Sequence, residues 1–201
     1  NAFLGSIKES EILLHVVRCF EDDQVSHIEG PIDPLHDIEL IKTELMLADL
    51  ESLERQLDGV IKRARGTDKE AMALQPLIGK ALEVLRDGKP VRALDLTEDE
   101  RPLLKMLHLL TAKPVLYVCN VDEQQASDGN AQSAAVAQRA ADEGAQTVVV
   151  SAAIEAEIAA LGDAEEKRAF LENLGLETAG LERVIHACHH EQDIFKYGGL
   201  R

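Results

Sequence analysis

Residues 113–123, KPVLYVCNVDE, decide the fold of this 201-residue chain. Five apolar residues, 115–119, follow Pro114, and a polar segment from Asn120 to Glu123 comes directly after them. An apolar run of this length, with β-branched and aromatic residues, is typical of a strand that is buried on both faces of a parallel sheet. In open α/β sheets, ligands bind just beyond the carboxyl ends of such strands. The sequence therefore predicts a binding edge that begins at Asn120.

Two further apolar runs have the same character. Residues 147–150 are followed by the small segment Ser151-Ala152-Ala153, and residues 12–17 form a run near the start of the chain. We expect the segment 151–153 to lie beside Asn120, because the carboxyl ends of neighbouring parallel strands meet at one edge. Three strands make a thin parallel sheet, since such sheets are covered on both faces. We therefore expect residues before Asn1, which is not a methionine, to supply the other strands.

A long helical insertion separates the first strand from the second. Apolar residues recur at three- and four-residue intervals over 37–66 and again over 68–86, which predicts two amphipathic helices joined by a hairpin turn. Pro76 and Gly79 lie inside the second helix, where we expect a kink or a break. A capping-box pattern predicts a third helix over 97–110.

The predicted fold is an α/β domain that an α-helical hairpin, or coiled-coil domain, interrupts. Residues 1–36 and 112–188 form the two parts of the sheet domain, and the second part carries the binding loops. Residues 37–111 form the helical insertion, which we expect to project as an arm. Residues 189–201 show no pattern and stay an unassigned tail.

Composition and charge narrow the classes of partner. The net charge is −16, so the chain repels phosphate backbones on average, and we expect no broad DNA-binding face, although a local basic patch stays open. No apolar run approaches the roughly 20 residues of a membrane span. Three distant cysteines favour reduced thiols in the cytoplasm over a disulfide framework. The histidines and cysteine of 186–190 match no zinc-ligand spacing, so we expect no metal site there.

Asn120-x-x-Glu123 and the segment 151–153 resemble the base-recognition loops of P-loop GTPases, which read N-K-x-D and S-A-[KL]. The departure N-x-x-E resembles one branch of that class, the YchF/Obg-like ATPases. Longer stretches agree with this branch: HVVRCFEDD at 15–23, TELMLADLE at 43–51 and RALDL at 92–96. The resemblance covers about residues 1–187 and fades after His189.

The resemblance implies a partial P-loop NTPase with a parallel sheet and an inserted helical hairpin. It assigns base contacts to six residues: Asn120, Val121, Glu123, Ser151, Ala152 and Ala153. It implies ATP, or GTP, with Mg²⁺ as ligands of the intact protein, the ribosome as partner, and a cytoplasmic location. The 201 residues contain no G-x-x-x-x-G-K-[ST] phosphate loop and no segment that resembles a TGS domain. We therefore expect a piece of a larger ATPase that has no catalytic residue and is inactive alone.

Two alternatives stay open. Asn120 is a favoured turn residue, and it would also fit a purely structural turn after a strand. The whole chain would also fit a non-enzymatic interaction module, in which the helical hairpin binds a partner and the nucleotide pocket is vestigial. The sequence before Asn1 would discriminate between them, because a phosphate loop there favours the ATPase.

Overall fold

The computed structural model describes residues 7–21 and 32–197, and it describes side chains as far as residue 190. The predicted turn around Gly30 and Pro31 lies outside the described residues, as do the first six residues and the last four. The strands are β1 (Leu13–Arg18), β2 (Val115–Asn120) and β3 (Gln146–Val150). The helices are α1 (Pro34–Arg65), α2 (Lys69–Arg86), α3 (Glu100–Met106), α4 (Ala131–Glu143), α5 (Ala152–Ala160), α6 (Ala164–Asn173) and α7 (Gly180–Tyr197). Short 3₁₀ turns occupy Val91–Ala93 and Glu123–Gln125.

The three strands form one parallel sheet in the order β1-β2-β3. Cys119 of β2 is paired with Val17 of β1 and with Val149 of β3, so the carboxyl ends of all three strands reach the same edge. All five apolar residues of β2 are buried. The parallel sheet, the alternation of strands with helices and the helical insertion confirm the predicted α/β fold class.

The chain divides into two compact units. The sheet unit comprises residues 12–38 and 115–201, and the helical unit comprises residues 1–11 and 39–114. In the sheet unit, α4 packs on one face of β2 and β3 through Val136 and Ala140, and α7 packs on the other face through Val184 and Ala187. The division into residues 1–36, 37–111, 112–188 and 189–201 stays a prediction.

The first strand is less buried than its apolar sequence predicts. Leu14 is 48% exposed and Val16 is 64% exposed, although both belong to the run that we expected to be buried. The physical reason is position: β1 is an edge strand of the described sheet, and α7 covers that face only at β2 and β3. One face of β1 is thus open within the described residues.

The hairpin of the helical unit is antiparallel. Arg86 near the end of α2 lies 3.2 Å from the carboxylate of Glu54 in the middle of α1, and Arg63 near the end of α1 lies beside Asp68 at the start of α2. Val60 of α1 packs with the buried apolar residues of α2, which the structure places in one core: Ala71, Leu74, Leu77, Ile78, Ala81, Leu82 and Leu85.

Helix α1 begins earlier than predicted, and helix α2 has no break at Pro76. Helix α1 begins at Pro34 because Asp33 caps it: the Asp33 carboxylate accepts from the backbone N–H of Leu35 and of His36, both at 3.1 Å. Helix α2 is continuous through Pro76, since the core contacts of its buried face outweigh the hydrogen bond that proline removes.

Helix α3 is much shorter than predicted. It covers seven residues and ends at Met106, because His108 adopts a φ of +50°, which a continuing α-helix excludes. The expected capping box is half formed: the Thr97 backbone N–H donates to the Glu100 carboxylate at 3.0 Å, but the helix begins at Glu100 itself.

The last helix continues beyond the predicted pattern. Helix α7 extends to Tyr197, whereas the sequence after His189 shows no apolar periodicity. Its first turns are held by Val184 and Ala187 in the core, and backbone hydrogen bonding continues the helix beyond them. None of the described helices combines the length and the apolar content that a membrane span requires.

Candidate functional site

Asn120 links the two loops that the sequence predicted to form one site. It is the last residue of β2, and it is paired with Val150 at the end of β3. Its side-chain Oδ1 accepts a hydrogen bond of 2.9 Å from the backbone N–H of Ala152, the first residue of α5. The Asn120 side chain therefore joins the end of β2 to the start of α5. An asparagine that served only as a turn residue, with its amide in solvent, would not make this connection.

A buried hydroxyl lies beside this link. Ser151 is 3% exposed and precedes α5 as its N-cap, but its Oγ makes no capping hydrogen bond. Within the part of the chain that the structure describes, this Oγ has no hydrogen-bond partner. A buried hydroxyl without a partner costs free energy, so a ligand or a neighbouring group that bonds to it would be stabilising.

The two residues that distinguish this motif from N-K-x-D lie in different surroundings. Val121 is 3% exposed and packs with Cys119 and Val136 in the sheet core, while its backbone N–H donates to Val150 O at 2.8 Å. Glu123 is exposed at the start of a 3₁₀ turn. Of this pair, only Glu123 therefore presents its side chain to a ligand at the surface.

Ala152 and Ala153 are exposed at the start of α5 and carry no polar side chain. These two residues offer a ligand only their backbone groups, and their small side chains leave space beside them. The structure thus brings Asn120 and Ala152 into direct contact, places Ser151 next to them, and leaves Glu123 at the surface of the adjoining turn.

A second asparagine, which the sequence reasoning missed, supports the first loop. The Asn130 amide Nδ2 donates to Cys19 O and to Gln125 Oε1, both at 2.6 Å, and its Oδ1 accepts from Ser133 N at 2.9 Å. It ties the end of β1 to the turn that follows Glu123. The signal was available, because Asn130 with Ser133 three residues later is the signature of a helix N-cap.

Two cysteines lie behind the site in the sheet core. The Cys19 and Cys119 side chains are both fully buried and hydrogen-bonded to each other. This hydrogen bond lowers the pKa of the Cys19 thiol, whereas the same contact and burial raise the pKa of the Cys119 thiol. The Cys19 N–H also donates to Asn120 O at 2.8 Å, so this pair helps to fix the backbone of Asn120.

Two cavities formed by the described residues lie away from this sheet edge. One of about 610 Å³ in the sheet unit is lined by residues of α6 and the start of α7, among them Lys167, Leu171 and Glu182. One of about 410 Å³ in the helical unit is lined by Ser52, Gln56 and neighbouring residues. Neither contains any of the six predicted site residues. Within the described residues, no group of three or more His, Cys, Asp and Glu side chains is arranged to hold a metal ion.

The chain is similar in sequence to known proteins over most of its length. The chain is 44% identical over 191 residues to the ribosome-binding ATPase YchF of Bacillus subtilis. This alignment covers 94% of this chain and 52% of that protein. It is 47% identical over 197 residues to the ribosome-binding ATPase YchF of Haemophilus ducreyi. This alignment covers 98% of this chain and 54% of that protein. In the part that it shares with them, this chain is similar to the YchF proteins. The chain spans about half the length of the curated relatives that it matches.

A solved structure gives the same result. The structure of the Schizosaccharomyces pombe YchF GTPase matches with a TM-score of 0.82 and 28% identity, over 96% of this chain and 53% of that one. No protein-family model matches the chain. The sequence relatives and the structural relative named here are therefore all YchF proteins.

Proposed function

We propose that this chain is the base-recognition part of a ribosome-associated ATPase, in which Asn120, Glu123 and the segment 151–153 contact the base of ATP. The observation that carries the proposal is the hydrogen bond from Ala152 N–H to Asn120 Oδ1. It joins the two loops whose sequences resemble those of base-binding sites, and the relatives are called ribosome-binding ATPases. Such a protein works in the cytoplasm, where ribosomes are.

The polar groups at this edge fit a purine base. A base presents ring N–H or amino donors and ring-nitrogen acceptors at its rim, and the edge offers a carboxylate and a buried hydroxyl without a partner. The chain offers no phosphate loop, so the triphosphate and Mg²⁺ would be held by residues outside these 201. GTP is the second nucleotide that the intact protein would accept.

Glu123 explains a preference for ATP over GTP. An aspartate at this position places two acceptor oxygens opposite the N1–H and N2–H₂ donors of guanine, and each charged hydrogen bond is worth about 1.5–3 kcal/mol. Glu123 carries the same charge one methylene further out, so it does not keep that two-point geometry without movement of the turn. Adenine has neither donor and therefore loses less.

The test is the substitution Glu123→Asp in the full-length protein, with ATP and GTP titrated separately by calorimetry. We expect the affinity for GTP relative to ATP to rise about tenfold, which corresponds to one regained charged hydrogen bond. Val121→Lys is a poorer test on its own, because Val121 is buried and a lysine there would disturb the core.

Glu177→Asp is the matched control, because Glu177 is also an exposed glutamate outside the α-helices of the sheet unit. It should leave both affinities unchanged. If Glu123→Asp and Glu177→Asp give the same ratio as the wild-type protein, Glu123 does not set base choice. If the wild-type full-length protein binds neither nucleotide, the proposed function itself is overturned.

A further inference from the structure

We propose that the end of the helical hairpin binds the phosphate backbone of ribosomal RNA; this rests on the proposed function, because it names the contact through which the protein reaches the ribosome. We call residues 59–69 the basic tip. It contains four basic residues, Lys62, Arg63, Arg65 and Lys69, and one acidic residue, Asp68. Its net charge is thus +3, within a chain whose net charge is −16.

The basic side chains of the tip are available to a partner. All four are exposed. Arg63 lies 3.8 Å from the Asp68 carboxylate and 4.0 Å from that of Glu70, at the limit of an ion pair. Within the described residues, Lys62, Arg65 and Lys69 make no ion pair. Three of the four positive charges are therefore not neutralised by the protein.

The one acidic group of the tip is engaged in local structure. The Asp68 Oδ1 accepts from the backbone N–H of Glu70 at 3.0 Å and of Ala71 at 3.2 Å, which caps α2. Its other oxygen faces Arg63. Asp68 thus fixes the start of α2 and contributes little to cancelling the remaining positive charge.

The tip is held in one conformation by the core beneath it. Val60 and Ala64 of α1 pack in the same apolar core as Ala71 and Leu74 of α2, and Thr67 turns the chain with a φ of +70°. The basic side chains therefore project from two joined helix ends and not from a loose loop. Such a support lowers the entropy that is lost on binding.

Helix stability does not account for all of this charge. Basic residues favour the last turn of a helix, so Lys62, Arg63 and Arg65 stabilise α1. Lys69 occupies the first turn of α2, where the helix dipole disfavours a positive charge. Helix stability therefore gives no reason for a lysine at this position.

The charge distribution favours a polyanion with closely spaced charges. The negative net charge of the chain repels such a partner. Contact is therefore confined to the basic tip, where the net charge is positive. Phosphate groups spaced along a nucleic-acid strand match several cations on one small surface, and arginine binds phosphate with two parallel hydrogen bonds. On a ribosome, RNA is the partner of this chemistry.

The experiment compares two variants of the full-length protein with equal loss of charge. K62Q/R65Q/K69Q removes the three unpaired cations of the tip and leaves Arg63 in place. K89Q/R101Q/K105Q, the control, removes three exposed cations elsewhere in the helical unit. Binding is measured to purified ribosomes and to protein-free ribosomal RNA, each at two salt concentrations.

We expect the tip variant to bind ribosomes and protein-free RNA at least tenfold more weakly than the wild-type protein, and the control variant to change binding less than threefold. The slope of log affinity against log salt should fall by about two for the tip variant, since each phosphate contact contributes about 0.7–0.9.

Equal binding by the tip variant and the control overturns the proposal. A loss on ribosomes without a loss on protein-free RNA also overturns it, and indicates an acidic ribosomal protein as the partner. If the wild-type protein does not bind ribosomes, the proposed function falls, while the comparison on protein-free RNA still decides whether the tip binds a phosphate backbone.

Discussion

At the scale of single residues, one buried carboxylate fixes the end of the helical unit. Asp49 of α1 accepts three hydrogen bonds of 2.7 Å: from Leu110 N–H, from Thr111 N–H and from the Thr111 hydroxyl. Burial raises the pKa of Asp49, and these hydrogen bonds oppose that shift. Three donors on two oxygens hold the backbone at Leu110 and Thr111, near the point where the chain leaves the helical unit.

We predict that Asp49→Asn lowers the free energy of unfolding by about 3 kcal/mol, because an amide NH₂ would face a backbone N–H that already needs an acceptor. The measurement is urea-induced unfolding followed by circular dichroism. Asp58→Asn is the control, since Asp58 is an exposed carboxylate on the same helix, and we expect a change within about 0.5 kcal/mol. Equal losses in the two variants would show that Asp49 carries no special stability.

At the scale of elements, the helix that carries the candidate site is tied to the last helix. The Glu155 carboxylate of α5 accepts from Gly180 N–H at 2.6 Å and from Leu181 N–H at 3.1 Å, at the start of α7. A Cβ at position 180 would come within 2.8 Å of Glu155 Oε1 and 2.9 Å of Val150 Cγ1, so only glycine allows this approach. These hydrogen bonds therefore hold α5, which begins at Ala152 directly after Ser151, against the start of α7.

We predict that Glu155→Ala lowers stability by about 1 kcal/mol, because it removes the cap of α7. Glu157→Ala changes an exposed residue of the same helix that is not at this junction, and it should change stability by less than half of that amount. Thermal unfolding of both variants decides the matter. Indistinguishable midpoints would contradict a capping role for Glu155.

The helices and strands differ in how well the sequence predicted their bounds and their burial. Helices α4 and α6 are bounded by signals that are visible in the local sequence: Asn130 and Gly144 cap α4, and Asp163 caps the start of α6. Strand β1 was predicted to be buried and is half open, because burial depends on which elements cover a face, and no local pattern encodes that. Helix α3 was predicted too long because the apolar spacing continues to Leu110, beyond the point where His108 turns the chain.

The candidate site also contains residues that the sequence predicted and features that it did not predict. Asn120 and Ser151 were predicted from their places after apolar runs, and the register of β2 and β3 brings them together. The burial of Val121 was not predictable, since it depends on packing against residues that are distant in the sequence, such as Val17 of β1 and Val136 of α4. Asn130 was overlooked although its capping pattern was visible, because its contact with Cys19 O spans more than a hundred residues.

At the scale of the whole molecule, the nucleotide site that we propose is incomplete within these residues. The residues proposed to contact the base lie at the sheet edge, while no phosphate-loop motif occurs in the 201 residues. Phosphate contacts normally supply much of the affinity for a nucleoside triphosphate.

We predict that the 201-residue chain alone binds ATP with a dissociation constant above about 1 mM and does not hydrolyse it. Adenosine should bind the isolated chain about as well as ATP, because only the base is recognised, whereas the full-length protein should prefer ATP strongly. Calorimetry with both ligands measures this. Micromolar binding of ATP by the isolated chain would show that residues within it bind phosphate.

The open face of β1 has a consequence for handling the molecule. Leu14 and Val16 are exposed along a strand whose outer edge pairs with no strand of the described residues. Backbone N–H and C=O groups on a free apolar edge are a template for a strand of another molecule. The isolated chain will therefore aggregate edge to edge as its concentration rises. Added salt will accelerate this, because it screens the repulsion between molecules of charge −16.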